Sequence, residues 1–350
     1  MPELPEVTVI TGQLNKKLKG LTLESIEYDW PKKFYWGKFS IDDLRGAKVL
    51  GVRRLGKVVV IDLERNAGPA ARRPRPTSSP ALNAFISKKS ISAFFEEELT
   101  REGLAAGARR GSPTRVTRIS ILIHLKLTGQ LIYQDAKTRI AGGHPIPPLN
   151  LPVPNKTTRV TVTFTNDGHL YFNDIRKFGW VKIVGVDKSQ PEADRLLDEK
   201  IKEAIGMELG PDPLVMSFGE FRQRLEKKGQ SRIKKLLMDQ SFIAGVGNIY
   251  SDEALWRAKI HPRRSAISLK PLEVRRLYDG IRESLKLAIE KGGSSANAFI
   301  DSGGERGLYL SFAKAYHMTG KPCSRCKTPI VREKMDGRSA HFCPTCQKLK

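Results

Sequence analysis

Hydrophobic positions near the start of the chain repeat with helical spacing. Val7, Ile10, Leu14 and Leu18 stand three or four residues apart, behind a first turn that contains proline and acidic residues. Apolar residues at this spacing lie on one face of an α-helix, and proline and carboxylates are favoured in a first helical turn. The pattern therefore predicts a helix from residue 1 to about residue 18.

The pattern then changes to that of β-strands. Residues 57–63, Lys-Val-Val-Val-Ile-Asp-Leu, are typical of a buried strand, and apolar and polar residues alternate over 119–127, which favours a core position for Leu127. Residues 159–164 and 169–172 flank Asn-Asp-Gly, a sequence typical of a hairpin turn. Together these runs predict an N-terminal β-sandwich domain within an α+β chain.

Two stretches interrupt the strand pattern. Residues 64–118 contain an Ala/Pro/Arg-rich run, one possible amphipathic segment near 85–99 and a second basic run, so we expect a largely disordered insertion. Residues 135–155 are rich in proline and glycine and predict a surface loop.

The second half of the chain has helical periodicity. This pattern extends to about residue 291 and is followed by a glycine-rich segment, 292–307. We therefore expect three units: a β-sandwich domain over 1–186, a helical domain over 187–312 and a small cysteine module over 313–350.

All four cysteines of the chain lie in two Cys-x2-Cys pairs near its C-terminal end. The pairs are Cys323 and Cys326, then Cys343 and Cys346, with sixteen residues between them. This spacing is typical of a tetrahedral structural zinc site on a hairpin, and one Zn²⁺ is the expected cofactor. Two disulfides are the alternative, but nothing in the chain indicates secretion. His317 and His341 flank the pairs and are more simply explained as packing residues.

The net charge of the chain indicates a class of binding partner. The chain has 61 Lys and Arg against 37 Asp and Glu, a formal net charge of +24. A balance this basic indicates a polyanionic partner, and nucleic acid is the default. There is no apolar run of the length that spans a bilayer, and the start is acidic rather than basic. We expect a cytoplasmic protein without a signal peptide or transmembrane segment.

The first residues carry candidate chemistry. Removal of Met1 would leave Pro2 with a free secondary amine, whose pKa near about 8 leaves part of it unprotonated and nucleophilic at neutral pH. Glu3 could then exchange a proton during attack on a sugar carbon, provided that burial or the neighbouring Glu6 raises its pKa. The alternative is an ordinary processed terminus, since Met-Pro starts are common.

Further candidates are weaker when each is taken alone. Asn248 follows Gly245-Val246-Gly247 between two helical runs, a turn that could hold a phosphate or simply join two helices. Arg176-Lys177-Phe178 combines cations with an aromatic residue that could wedge into a base stack, although a charged cluster beside a core residue is commoner. Lys57 and Arg338 could each act in a cleft or only at the surface.

Taken together, the motifs resemble the bacterial-type formamidopyrimidine-DNA glycosylase/endonuclease VIII family. They occur in family order outside 64–118 and 135–155, and comprise PELPEV, LGKVVV, HLKLTG, NDIRKFGW, IKKLLMDQSFIAGVGNIYSDEALW, His261-Pro262 and GRSAHFCPTCQK. Leu4 favours the branch that acts on purine lesions, because endonuclease VIII usually begins Pro-Glu-Gly.

The resemblance implies a fold and a bifunctional reaction. It implies a β-sandwich, a helix-two-turn-helix domain and a zinc hairpin, with damaged double-stranded DNA in the cleft of a monomer near the nucleoid. It also implies glycosylase action on 8-oxoguanine and formamidopyrimidines, followed by β,δ-elimination at the abasic site. The implied catalytic residues are Pro2, Glu3, Lys57 and Arg338, and the implied DNA contacts are Leu127, Arg159, Arg176, Phe178, Lys234 and Asn248. Residues 301–312 match the loop that covers the flipped base.

Three departures from the family pattern limit how far the family's residue roles can be assigned to this chain. Thr157 stands where a DNA-contacting histidine is usual, Ile175 stands where proline is usual, and residues 64–118 lengthen a normally short connection. Two other functions remain open at this stage. One is an oxidised-pyrimidine glycosylase, and the other is a non-catalytic protein that binds DNA lesions.

Overall fold

The first helix begins close to the start of the predicted amphipathic pattern. The computed structural model describes residues 2–66, 116–143, 151–294 and 307–349 of the chain, and its first element is α1 (Leu4–Leu18). The apolar stripe of α1 is buried, so the predicted helix is confirmed. Glu3 is its N-cap and forms a capping box with Glu6.

Ten strands of the described residues form two five-stranded sheets. They are β1 (Leu23–Tyr28), β2 (Phe34–Tyr35), β3 (Lys48–Leu55), β4 (Val58–Asn66), β5 (Val116–His124), β6 (Gly129–Gln134), β7 (Arg139–Gly143), β8 (Thr158–Phe164), β9 (His169–Asp174) and β10 (Trp180–Asp187). One sheet has the order β1-β8-β9-β6-β7 and the other β2-β10-β5-β4-β3. The pairings are antiparallel except between β2 and β10.

The two sheets share one apolar core, into which α1 also packs. Val7 and Leu14 of α1 belong to it with Val59 of β4, Ile121 of β5 and Phe172 of β9. Alternate side chains of these strands point into the core, as half-buried strands require. The predicted β-sandwich and the predicted hairpin of β8 and β9 are confirmed.

Two strand boundaries correct the expectations. Strand β5 ends at His124, so the predicted strand over 119–127 is three residues too long, and Leu127 lies in the following turn rather than in the core. Within the predicted loop 135–155, Arg139–Gly143 forms the edge strand β7. The segment around 85–99 and most of 64–118 lie outside the described residues.

Short helices complete the N-terminal part. Helix α2 (Ile41–Leu44) and the 3₁₀ turn Pro31–Lys33 join early strands, and α3 (Ala193–Ile205) follows β10. The apolar face of α3 packs on the outer face of the second sheet, against Val60, Leu122 and Val186. We infer from this packing that the helical domain begins after α3 rather than at residue 187.

The helical domain has its own core. Its helices are α4 (Phe218–Lys227), α5 (Ile233–Met238), α6 (Asn248–Ala258), the 3₁₀ turn Ala266–Ser268, α7 (Pro271–Glu290) and α8 (Tyr309–Phe312). Buried aromatic residues, among them Phe221, Phe242 and Tyr250, fill the space between them. Leu4 of α1 belongs to this core too, so the start of the chain is anchored in the second domain.

A two-stranded hairpin follows, built from β11 (Val331–Met335) and β12 (Arg338–Phe342). The cysteine pairs lie on either side of it, and Asp336 and Gly337 make the tight turn with positive φ. Asp-Gly is a preferred sequence for this turn. None of the helices in the described ranges is long and apolar enough to cross a bilayer.

Candidate active site

A cleft of about 800 Å³ opens between the sandwich and the helical domain. It brings together seven of the predicted catalytic and DNA-binding residues, which are far apart in sequence. These are Pro2, Glu3, Lys57, Leu127, Phe178, Asn248 and Arg338. The cleft is therefore lined by the first turn of α1, the β3–β4 turn, two loops at the sandwich rim, the start of α6 and the hairpin tip.

Glu3 is held at the N-terminus of α6. Its side chain is 3% exposed, and its carboxylate accepts the N–H of Gly247 at 2.8 Å and that of Ile249 at 3.0 Å. The first N–H groups of a helix have no partner within the helix, so they bind a carboxylate well. The sequence had suggested these donors as a phosphate site. That expectation fails for the backbone groups, because Glu3 occupies them.

Close approach of the two domains depends on glycine at two positions. A Cβ at Gly247 would overlap the Glu3 carboxylate, and one at Gly245 would lie 2.7 Å from Leu4. Gly245 also has a φ of +93°, which other residues rarely adopt. The Gly-x-Gly turn therefore allows the first residues of the chain to dock against the start of α6.

Burial shifts the ionisation of the two charged groups beside Pro2. It raises the pKa of Glu3 above its ordinary value, and Glu6 raises it further, although Lys57 and the Ile249 N–H act in the opposite direction. Burial lowers the pKa of Lys57 despite the attraction of Glu3 and Glu6. The carboxyl holds its proton more strongly, and the ammonium releases its proton more readily, than either does in water.

Lys57 sits in the tight turn between β3 and β4. Gly56 has a φ of +57°, which lets the chain reverse at once and places Lys57 directly before β4. The side chain is 7% exposed, and Nζ donates to the Val246 carbonyl at 2.9 Å. This contact holds the ammonium against the same Gly-x-Gly turn that holds Glu3.

Glu6 links the first turn of α1 to the C-terminal end of α7. Its Oε2 accepts the Glu3 N–H at 2.8 Å. Its Oε1 accepts the Tyr250 hydroxyl at 2.6 Å and the Ser294 N–H at 2.7 Å. Ser294 directly precedes residues 295–306, which lie outside the described residues, so only residues 307–312 of the predicted loop 301–312 are described.

A buried polar cluster docks the hairpin that carries Arg338. Asp252 of α6 accepts the ammonium of Lys234 and, at 2.9 Å, the Nδ1 of His341. Lys234 also donates to the Ser339 carbonyl at 2.7 Å. Arg338 itself is exposed at the start of β12 and lines the cleft. Its position therefore depends on contacts made by its neighbours in the hairpin.

Leu127 and Phe178 form the opposite rim. They are 39% and 46% exposed and both line the cleft, so a bound molecule can reach both side chains. The Arg176 guanidinium lies over the Phe178 ring, 4.7 Å from its centroid. Leu127 is therefore not the core residue that its alternation favoured.

Three predicted DNA-contacting residues do not line the cleft. Arg176 is exposed beside it, whereas Arg159 is buried, pairs with Asp29 at 2.7 Å and donates to the Asp174 carbonyl. Lys234 is buried in the Asp252 cluster. The structure thus gives Arg159 and Lys234 internal partners, and their contacts with DNA stay predictions. Thr157 bonds to Asn155 and is also buried.

Sequence reasoning missed several cleft residues. His124, Lys126 and Tyr316 line the cleft together with Glu6. Burial, with Lys126 and Lys57 nearby, lowers the pKa of His124 to about 3, so its ring is neutral. The alternation of the strand indicated that His124 and Lys126 face outward, and only the fold shows that this side borders the cleft.

The four cysteine sulfurs converge on one point. All Sγ atoms lie within 4.8 Å of one another, and Cys326 Sγ is 3.4 Å from Cys343 Sγ. A tetrahedral Zn–S bond of about 2.3 Å separates sulfurs by about 3.8 Å, so the cluster fits a structural metal. Trp256, Ala315 and Ile330 pack around it.

Three family models match the chain. They are the formamidopyrimidine-DNA glycosylase N-terminal domain at 1–181, the formamidopyrimidine-DNA glycosylase H2TH domain at 209–299 and the zinc finger found in FPG and IleRS at 320–349. The predicted helix-two-turn-helix domain and the predicted zinc-finger module are confirmed by these matches.

Known relatives match over the whole chain. The formamidopyrimidine-DNA glycosylases of Pelotomaculum thermopropionicum and Heliobacterium modesticaldum are 34% and 33% identical, covering 100% and 99% of this chain and 100% of their own lengths. The structure of wild-type Lactococcus lactis Fpg with N7-benzyl-Fapy-dG DNA superposes with a TM-score of 0.70 at 28% identity, covering 99% of this chain and 100% of that one. MutM in complex with carbocyclic 8-oxo-G DNA gives 0.69 at 27% identity, with the same two coverages. The chain belongs to the formamidopyrimidine-DNA glycosylase family.

Proposed function

We propose that this protein removes oxidised purines from double-stranded DNA and then cuts the strand at the abasic site. The observation that carries the proposal is the position of Pro2 in the same cleft as a buried carboxyl whose pKa is raised and a buried amine whose pKa is lowered. A nucleophile in one cleft with two groups that can transfer protons is an arrangement suited to covalent glycosyl transfer.

Related structures support the substrate class. The Lactococcus lactis protein is bound to DNA that contains a formamidopyrimidine lesion, and MutM is bound to DNA that contains an 8-oxoguanine analogue. Because the cleft of this chain keeps the motifs around Pro2, Asn248 and Phe178, we assign it the same lesions: 8-oxoguanine and formamidopyrimidines.

Base removal begins at the amine of Pro2, once Met1 has been removed. The nitrogen lone pair forms a bond to C1′, and the C1′–N bond to the base breaks, so that the base leaves with the electron pair and takes up the proton that the amine nitrogen loses. The nitrogen lone pair then forms a double bond to C1′ as the C1′–O4′ bond opens, and the Glu3 carboxyl gives its proton to O4′. The product is a C1′ iminium cation that joins sugar and protein.

Strand cleavage follows from the iminium. A secondary amine cannot lose a second proton to give a neutral imine, so the adduct stays cationic and withdraws electrons from the sugar. Loss of a proton from C2′ to solvent expels the 3′-side phosphate, and later loss of a proton from C4′ to solvent expels the 5′-side phosphate. Lys57, with its lowered pKa, donates a proton to the departing 3′-side phosphate, and Arg338 assists the second elimination.

The rim residues act before this chemistry. Extruding a base costs a few kcal/mol, and less where the pair is damaged. Leu127 and Phe178 replace the lost stacking, and Arg176 enters the space that the base leaves. Asn248 contacts the phosphate backbone of the strand that is cut. The formal charge of +24 attracts the duplex before these specific contacts form.

One Zn²⁺ completes the hairpin. The four thiolates of Cys323, Cys326, Cys343 and Cys346 would hold it, and the metal would stabilise the fold of the module without an open coordination position for chemistry. Its contribution to the reaction is positional, because the hairpin carries Arg338 to the cleft.

Borohydride trapping with peptide mapping tests the proposal. Borohydride reduces the iminium to a stable amine, so protein on a duplex with a single 8-oxoguanine opposite cytosine should form a covalent adduct, and the sugar should map to residue 2. An undamaged duplex is the control, and mass spectrometry of the N-terminal peptide establishes that Met1 is absent.

Three results would contradict this assignment. An adduct that maps to a lysine elsewhere would exclude Pro2 as the nucleophile. Tight binding without any adduct, on protein that lacks Met1, would support a non-catalytic lesion-binding protein. An adduct only on a duplex that carries an oxidised pyrimidine would place the protein in the pyrimidine-specific class.

A further inference from the structure

The two rim turns of the cleft are joined by a pair of buried polar side chains. Thr128 belongs to the turn that carries Leu127, and Asp174 ends β9 just before the turn that carries Arg176 and Phe178. Asp174 is 1% exposed and Thr128 is 8% exposed. Neither side chain reaches DNA in the proposed mode of binding, and none of the steps above uses them.

The hydrogen bonds cross from one turn to the other. The Thr128 hydroxyl donates to one carboxylate oxygen of Asp174 and accepts the N–H of Arg176 at 3.1 Å. The other carboxylate oxygen of Asp174 accepts the N–H of Gly179 at 2.7 Å. The hydroxyl and the carboxylate therefore bind the beginning and the end of the Arg176–Phe178 turn and connect it to the Leu127 turn.

Both turns need such support. Lys126 and Lys177 have φ values of +50° and +56°, a conformation that costs energy for any residue with a Cβ and persists only where surrounding contacts impose it. Residue 175 is isoleucine, which leaves φ free where a proline would fix it. The cross-turn hydrogen bonds supply the restraint instead.

We propose that Thr128 and Asp174 are positioning residues that hold Leu127, Arg176 and Phe178 in one rigid arrangement, so that the three side chains enter the duplex together. The inference rests on the proposed function, because it concerns base extrusion. It assigns a role to two residues that touch neither the lesion nor the reacting sugar atoms. Its consequence is that loss of the pair should slow extrusion but spare the chemistry that follows.

Two substrates separate these steps. One duplex contains 8-oxoguanine opposite cytosine and requires extrusion, and the other contains a preformed abasic site with no base to extrude. Thr128→Val removes the hydroxyl but keeps the shape of the side chain, and Thr128→Ser restores the hydroxyl. Thr163→Val is the matched control, because Thr163 bonds to His169 in the same sheet away from the rim.

We expect Thr128→Val to lower the single-turnover rate of 8-oxoguanine release by about tenfold to 100-fold, as loss of a buried hydrogen-bonding group implies. Strand cleavage at the abasic site should stay within about twofold of wild type, since Pro2, Glu3 and Lys57 are untouched. Thr128→Ser and Thr163→Val should retain both rates. If Thr128→Val is insoluble, Thr128→Ala removes the same hydroxyl with less bulk.

Equal losses on both substrates would overturn the inference, because they would indicate general damage to the cleft. Unchanged release of 8-oxoguanine would overturn it as well. A wild-type protein that is inactive on both duplexes would instead contradict the proposed function, so the two failures are distinguishable.

Discussion

At the scale of single residues, Glu3 combines opposing influences on one proton. The Gly247 and Ile249 N–H groups and Lys57 favour the carboxylate, whereas burial and Glu6 favour the protonated acid. Burial is the largest of these, and the pKa is raised. The hydrogen bonds that hold the side chain in place therefore do not prevent it from acting as an acid.

The raised pKa of Glu3 predicts a specific dependence of stability on pH. A group whose pKa is higher in the folded state stabilises the protein fully below its unfolded pKa and loses this contribution as pH rises through the folded pKa. The free energy of unfolding of the wild type should therefore fall relative to that of Glu3→Gln as pH rises above 4.5. Urea unfolding of both proteins between about pH 4 and pH 8 measures the difference.

Glu64 is a control, because its pKa shift has the opposite sign to that of Glu3. A hydrogen bond from Lys188 lowers its pKa, so its contribution is present above the unfolded pKa and is lost as pH falls. The difference between the wild type and Glu64→Gln should grow with pH while that for Glu3→Gln shrinks. Parallel trends for the two variants would show that the pKa of Glu3 is not raised.

A second prediction at the scale of single residues concerns Gly247. In Gly247→Ala the new Cβ would overlap the Glu3 carboxylate, so the carboxyl must leave the start of α6. We expect base release to fall by at least about tenfold, since a displaced acid loses most of its effect. Single-turnover assays at fixed pH measure this loss.

Gly12→Ala is the matched control for this substitution. Gly12 lies inside α1 with nothing within 4 Å of the added Cβ, so alanine there should stabilise the helix by about 0.5–1 kcal/mol and leave activity unchanged. Full activity of Gly247→Ala would mean that the position of Glu3 does not matter for base release.

Sequence predicted which residues line the cleft better than it predicted their surroundings. The motifs around Pro2 and Lys57 pointed to residues of the cleft, but the Gly247 N–H that binds Glu3 is 244 residues away along the chain. No local pattern contains such a pairing. Leu127 failed for a related reason, because alternation continues past the end of β5 although the backbone turns at Lys126.

At the scale of elements, β4 and β5 explain how the chain tolerates its long insertion. The two strands pair without interruption from Val58 and His124 to Asn66 and Val116. The insertion therefore leaves and re-enters the sandwich at one hairpin end, opposite the end that carries Lys57. Its attachment points, Asn66 and Val116, are separated from Lys57 by the full length of both strands.

Excision of residues 67–115 tests this arrangement. Joining Asn66 to Val116 through an Asn-Gly turn restores a short hairpin that antiparallel strands favour. We expect the midpoint of thermal unfolding to be equal to or higher than that of the full chain, because a shorter loop costs less entropy to close. A large loss of stability in calorimetry would show that the excised residues contribute to the folded sandwich.

The hairpin of β11 and β12 is an element that strand pairing alone does not stabilise. Each of its two strands has only five residues, and a two-stranded hairpin is at best marginally stable in water. The sulfur cluster and the contacts of Asp252 with Lys234 and His341 hold it against α6. Sequence predicted the cysteine site from its spacing, but not the buried cluster beside it.

Removal of the metal should therefore disrupt the action of the protein on DNA while the rest of the protein stays folded. We expect a chelator to abolish strand cleavage and to lower the unfolding midpoint of the hairpin, while the sandwich keeps its far-ultraviolet circular dichroism. Added Zn²⁺ should restore cleavage, and chelator already saturated with Zn²⁺ is the control. Full cleavage by protein from which metal analysis finds no zinc would contradict the structural role.

At the scale of the whole molecule, the site exists only because two cores meet. Leu4 packs in the helical core while Val7, one turn later, packs in the sandwich core, so α1 joins the two domains at the cleft. The Leu4 N–H also donates to the Gly245 carbonyl at 2.9 Å. Periodicity predicted each domain separately, whereas this junction depends on side chains whose partners lie hundreds of residues away.

The charge of the whole molecule gives the last prediction. Residues 67–115 contain nine Lys and Arg against four Glu, so their excision lowers the net charge from +24 to +19. If these cations neutralise phosphates, the plot of log affinity against log salt should become shallower by about 0.9 for each phosphate that is no longer neutralised.

Lys126→Gln in the full chain is the control, since it removes one cation that lines the cleft itself. Because the excised segment is attached far from Lys57, cleavage of a saturating abasic duplex should be unchanged. An unchanged salt slope in the excised protein, together with a shallower slope in Lys126→Gln, would assign the electrostatic attraction to the cleft alone.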